Sequence, residues 1–139
     1  MIVVIDPSAA IEISLYRTYA EDFIHFLEDT TWAGAPDLFI SESANVFWKY
    51  HQFGDFPIEL CEKSLERTIQ IIDEFFPTKD LYLEALSLSF ETEHPVYDSM
   101  YLVLARRNNA TLLTRDKKLH QLATKLSINT FFPQPAAAH

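Results

Sequence analysis

Four carboxylates of this 139-residue chain, Asp6, Glu42, Asp98 and Asp116, occupy places where acids could share a cation. Asp6 ends the apolar run Ile2-Val3-Val4-Ile5, and Asp116 follows the run Thr111-Leu112-Leu113-Thr114. Asp98 opens an apolar helical stretch, and Glu42 lies within another. Clustered carboxylates repel and raise one another's pKa unless a cation neutralises them. Oxygen donors without Cys or His suit Mg²⁺ or Mn²⁺. Such an ion orients water and stabilises the charge that builds on a phosphodiester during in-line attack. The chemistry implied is metal-dependent phosphoryl transfer. Singly, each acid has a plainer use: Asp6, Asp98 and Asp116 stand at predicted helix starts, where the helix dipole favours a carboxylate, and Glu42 fits a solvated helix face.

The elements that must position these acids follow from periodicity. Residues 2–5 are β-rich and apolar throughout, as in a fully buried strand. Asp6-Pro7-Ser8 ends it and starts a helix, since Pro is tolerated in a first turn and Asp or Ser can cap one. A helix is predicted over 21–29, then a short strand over 30–33 closed by Gly34-Ala35-Pro36. Residues 37–50 read as helical. Ile58, Cys61, Leu65, Ile69 and Ile72 recur every three or four residues, the clearest amphipathic helix of the chain. Phe75-Phe76 start a third strand, ended by Pro77. Asp80 is expected to cap a helix through Phe90, and Pro95 to open another over 97–108 with Asn108-Asn109 as its left-handed stop. A strand over 110–114, a helix over 116–126 and a strand over 128–132 complete the series. Alternation of this kind indicates an α/β domain with a parallel sheet covered on both faces.

Distance arithmetic brings two of the acids together. A helix from Asp98 to Asn108 descends ~15 Å at 1.5 Å per residue. The strand from Ala110 to Thr114 climbs back ~17 Å at about 3.3 Å per residue. Asp116 thereby returns to the edge that Asp98 left. Parallel strands put the end of the first strand, with Asp6, at that same carboxyl edge, where open α/β sheets bind ligands. Glu42 joins them if the strand ending at Ala33 forms.

Charge is distributed unevenly. Nineteen acids and five Lys/Arg in residues 1–98 give −14, whereas six Lys/Arg and Asp116 alone in residues 99–139 give +5, which together make the net −9. An acidic chain is repelled by phosphates at long range. A local basic patch outweighs that, and Arg115, Lys117 and Lys118 form one beside Asp116. Two glycines, Gly34 and Gly54, exclude a P-loop or dinucleotide fingerprint, and no Gly-x-Ser-x-Gly elbow is present. Of the five histidines, His25, His51, His94 and His120 show no metal-ligand spacing, and most of them read as surface residues. The single Cys61 cannot form an internal disulfide, and no apolar run reaches the ~18 residues needed to span a bilayer. A cytoplasmic protein with no membrane association is expected. Residues 1–133 are read as one domain and 134–139 as a tail.

The segments VVIDPSAAI, APDLFISESANVFWKY and HPVYDSMYLVLARRNNATLLTRDKKL resemble the PIN domain, and within it the VapC-type toxins of prokaryotic toxin–antitoxin pairs. The last segment is the most specific, with Tyr97-Asp98 opening the helix and Thr114-Arg115-Asp116 closing the next strand. The resemblance implies a PIN-like three-layer sandwich whose five-stranded parallel sheet has the order 3-2-1-4-5. It further implies an endoribonuclease in which Asp6, Glu42, Asp98 and Asp116 hold Mg²⁺ or Mn²⁺. Ser8, Asn45 and Thr114 match supporting positions. Pro7 departs from the family's usual small polar residue there. The partners implied are an RNA substrate, a cognate antitoxin protein and a second copy in a homodimer. Arg115, Lys117, Lys118 and, from the middle helix, Lys49 are the candidates for contact with RNA phosphates. The aromatics Trp48, Tyr50 and Phe53 suit a groove for an antitoxin helix or a second copy.

Two other readings compete. A receiver-like Mg-binding signalling module would need its acceptor Asp at the end of a central third strand, but here that strand ends at Phe76-Pro77. A non-catalytic PIN-type interaction scaffold has no use for four intact acids.

Overall fold

A computed structural model describes residues 1–135; the closing stretch Ala136–His139 of the expected tail lies outside the described residues. The strands are β1 (Ile2–Ile5), β2 (Trp32–Pro36), β3 (Glu74–Phe76), β4 (Thr111–Leu113) and β5 (Thr130–Phe131), and the helices are α1 (Pro7–Ser14), α2 (Ala20–Leu27), α3 (Leu38–Gly54), α4 (Ile58–Gln70), α5 (Tyr82–Thr92), α6 (Val96–Asn108) and α7 (Lys117–Lys125). All strand pairings are parallel, in the order β3-β2-β1-β4-β5. Right-handed crossovers then place α1–α4 on one face of the sheet and α5–α7 on the other. β3 lies at the sheet edge, which removes the central third strand that a receiver-like module requires.

The core packs directly beneath the acids at the carboxyl edge. Val3, Val4 and Ile5 are fully buried in the central strand, beside Leu112 and Leu113 of β4. Helix α6 is buried without interruption from Ser99 to Ala105 and packs on β1, β2 and β4. A helix apolar on every side belongs in the interior, and this one carries Asp98 in its first turn. Asn109 ends it in the left-handed conformation at φ 51°, a geometry Asn tolerates well.

Three local expectations are corrected. β2 spans Trp32–Pro36, so Gly34-Ala35-Pro36 continue the strand rather than close it. Pairing with β1 on one side and β3 on the other overrides their weak strand propensity. Gly34 is required here by space: a Cβ would stand 2.3 Å from Cη2 of Trp32, whose ring covers that face. Asp80 caps no helix; it sits in a 3₁₀ turn (Thr78–Asp80), and Leu81 is the cap residue of α5. His120 is not a plain surface residue, since its half-buried ring stacks on Phe132. Among the described residues no helix is long and apolar enough to cross a membrane.

Candidate active site

Asp6 is both the cap of α1 and the centre of a hydrogen-bonded knot. Its Oδ1 accepts from the Ser8 hydroxyl at 2.6 Å and the Ala9 N–H at 3.0 Å, and its Oδ2 accepts from the Thr114 hydroxyl at 2.5 Å. The two hydroxyls are themselves anchored across the sheet edge. Ser8 Oγ accepts from the Arg115 N–H at 2.8 Å, and Thr114 Oγ1 accepts from the Asp116 N–H at 2.9 Å. The β1–α1 and β4–α7 turns are thereby tied together through buried polar groups, each with its partner. Burial pushes the Asp6 carboxyl from 3.8 up to about 6; the bonds from Ser8, Thr114 and Ala9 pull it down, and the nearby Asp116 charge adds to the rise.

Asp116 caps α7 by accepting from the N–H groups of Lys118 at 2.9 Å and Leu119 at 3.2 Å through Oδ1. Capping and a site role are compatible for it, because both capping bonds fall on Oδ1 and the residue also lines the acidic cleft. Glu42 projects from the second turn of α3, where Tyr101 of α6 donates its hydroxyl to Oε1 at 2.7 Å. Burial raises the Glu42 carboxyl to about 7, against the Tyr101 bond and with the help of the Asp6 and Asp98 charges. Asp98 is raised by burial and by Asp116, while His94 lowers it. The Tyr101 phenol is pushed well up by burial and by Glu42, so it remains a donor.

All four predicted acids, with Ser8, Asn45 and Tyr101, line one cleft of about 280 Å³. Thr114 lies beneath it, fully buried. Among the described residues, no three His, Cys, Asp or Glu side chains stand close enough to enclose a cation as they are. Asp6, Glu42 and Asp116 each accept hydrogen bonds from donors of their own. The donor set nevertheless fits Mg²⁺ or Mn²⁺ chemically: it is all oxygen, it comes from four elements, and burial and mutual repulsion are relieved by a positive ion. Tyr101 was not singled out from sequence; its position three residues after Asp98, on the same helix face, is the signal that could have found it.

The basic candidates separate. Arg115 is committed elsewhere: its guanidinium lies 4.0 Å over the Tyr19 ring and 4.5 Å over Phe132, and it donates to the Pro133 carbonyl. Lys117 and Lys118 are exposed in the first turn of α7. Lys49 is exposed on α3, seven residues from Glu42 and so on the same face. A further cleft continues past Ser8 and Val46 to Arg17, which donates to the Tyr50 hydroxyl at 2.9 Å. Trp48 and Phe53 are exposed and pack edge to face, with Trp48 on the rim of an apolar groove between α3 and α4; Tyr50 faces Arg17 instead.

A parallel sheet in this order with acids gathered at its carboxyl edge defines a class, and comparison agrees. Residues 3–125 match the PIN domain, and the chain belongs to that family, whose members are nucleases. Among solved structures, the chain is similar to PAE2754 from Pyrobaculum aerophilum (TM-score 0.66, 21% identity, covering 91% of this chain and 98% of that one). It is also similar to VapC20 (Rv2549c) of Mycobacterium tuberculosis, a Sarcin-Ricin loop cleaving toxin (0.65, 11%, 94% and 99%). A domain of a functionally unknown protein from Methanocaldococcus jannaschii is a third (0.54, 21%, 99% and 94%). At these identities the likeness is one of fold. No curated protein matches the sequence.

Proposed function

We propose that this chain is a metal-dependent endoribonuclease and the toxin of a toxin–antitoxin pair. The observation that carries the reading is the convergence of Asp6, Glu42, Asp98 and Asp116 on one cleft, with two carboxyls raised to about 6 and about 7. A stable fold gains nothing from four uncompensated acids, whereas a cation site requires them. The VapC20 likeness supports the toxin half of the proposal, and the family match supports the nuclease half.

Asp6, Glu42 and Asp98 would hold Mg²⁺ or Mn²⁺, with Asp116 completing the set. When bound, the ion supplies activation of water and neutralisation of charge on the phosphodiester. The chain's own residues do the remaining work. Ser8 and Thr114 fix both oxygens of Asp6, and Tyr101 fixes Glu42. Lys117, Lys118 and Lys49 supply the positive charge that draws RNA phosphates toward an acidic cleft. The products would carry a 5′-phosphate and a 3′-hydroxyl. The apolar groove between α3 and α4 is the surface proposed for the antitoxin or for a second copy.

The test is cleavage of labelled single-stranded RNA by the purified chain in Mg²⁺, in Mn²⁺ and in EDTA, alongside Glu42→Gln and Asp98→Asn. Cleavage by the parent alone, abolished by EDTA, is expected. Equal cleavage by all three proteins would mean a contaminating nuclease and would remove the proposal.

A further inference from the structure

A second cleft, of about 490 Å³ against about 280 Å³ for the acidic one, opens between α7 and the chain beyond β5. Helix α7 supplies Lys117, His120, Gln121 and Thr124, and the following chain supplies Phe132 and Gln134. The α7 residues share one face, turned away from Leu119, which borders the acidic cleft. Among the described residues no acid lines this cleft, in a chain of net charge −9.

Its aromatic wall is held in place from several elements. The Phe132 ring stacks on His120 with centroids 5.2 Å apart and planes 21° apart. Phe132 also carries the Arg115 guanidinium, which lies in turn over Tyr19. His120 Nδ1 is 3.1 Å from the Thr130 hydroxyl of β5. The wall is continuous with the acidic cleft through Arg115, whose N–H donates to Ser8. Flat aromatic and imidazole faces, side-chain amides and a Lys are what an unstacked nucleotide needs: surfaces for its base, partners for the base edge, and a charge for its phosphate. The volume lies within the ~300–1,000 Å³ of small-molecule sites.

We propose that this cleft is a nucleotide subsite, which holds one nucleoside of single-stranded RNA beside the scissile phosphodiester. Lys117 meets a phosphate, the Phe132–His120 pair borders the base, and the Gln121 and Gln134 amides read its edge. The inference rests on the nuclease reading for its substrate, and it adds a source of sequence preference. An acidic peptide would use Lys117 but would have no use for the stacked wall and paired amides.

Binding tests it without cleavage. Fluorescence anisotropy would follow a labelled single-stranded RNA of random sequence on the full chain carrying Glu42→Gln, and on that protein with Gln121→Ala or Thr124→Trp added. The first addition removes an amide, and the second fills the cleft from an exposed helix position. Thermal melting verifies that both fold. Each addition is expected to weaken binding about tenfold, in the range of losing one base contact. In the cleaving parent, the same substitutions should relax base preference beside the cut and raise KM more than they lower kcat. RNA binding unchanged by both substitutions overturns the subsite and leaves the nuclease proposal standing. Subsite-dependent binding without any cleavage does the reverse, and no RNA binding at all removes both. Competition by polyglutamate as strong as by unlabelled RNA of equal charge would also overturn the subsite.

Discussion

Replacing Asp6 by Asn should stabilise the metal-free protein, against the usual expectation for a buried, fully hydrogen-bonded residue. Burial raises the Asp6 carboxyl from 3.8 to about 6. The folded state therefore holds its proton at pH values where the unfolded chain has lost it, and stability falls as pH rises between those values. At about 1.4 kcal/mol per pH unit, the gap corresponds to about 3 kcal/mol of destabilisation, complete above about pH 6 and absent below 3.8. Asn escapes the cost. Its carbonyl can accept from Ser8 and Ala9, and its amide can donate to Thr114, which has a lone pair to spare once Asp116 N–H is bonded. The assay is thermal or urea melting in EDTA from pH 3.5 to 8. The two proteins should be alike at the acid end and diverge to about 3 kcal/mol, or roughly 10 °C, above pH 6. Millimolar Mg²⁺ should narrow the gap at pH 8 by stabilising the parent alone. Parallel pH profiles, or an Asn variant less stable at pH 8 in EDTA, would refute the electrostatic reasoning.

Tyr101→Phe removes the bond that holds Glu42 down, so the Glu42 titration should move up from about 7 by ~1 pH unit, read by carboxyl NMR of the metal-free protein. Thr114→Val leaves Asp6 Oδ2 and the Asp116 N–H without partners in a buried place, and should cost ~2–4 kcal/mol in urea unfolding. Gly34→Ala should cost ~1–3 kcal/mol because the added methyl meets the Trp32 ring, and Trp32→Leu in the same chain should recover most of it. Gly54→Ala, whose methyl would meet nothing within 4 Å at the end of α3, serves as the neutral or slightly stabilising control in the same melts.

The alternation of strands and helices, the amphipathic α4, the apolar α6 and the ends of β1 and β4 can be read from the residues in chain order. These follow from local periodicity and from the caps that terminate it, so neighbouring residues suffice. The places of Asp6, Asp98 and Asp116 follow for the same reason, since each sits at or beside a boundary that periodicity marks, whereas Glu42 lies a full turn inside α3. How those acids are held depends on packing between distant segments. Thr114 reaches Asp6 across 108 residues of chain, and Tyr101 reaches Glu42 across 59. No local pattern encodes bonds at that separation, because they exist only once α6 and β4 have packed against β1. The extent of β2 was likewise set by its two neighbours and by Trp32 lying over Gly34, against propensity. Arg115 illustrates the limit most clearly. Its place in a basic run suggests phosphate, yet Tyr19 and Phe132, from opposite ends of the chain, meet over it and make it part of a wall.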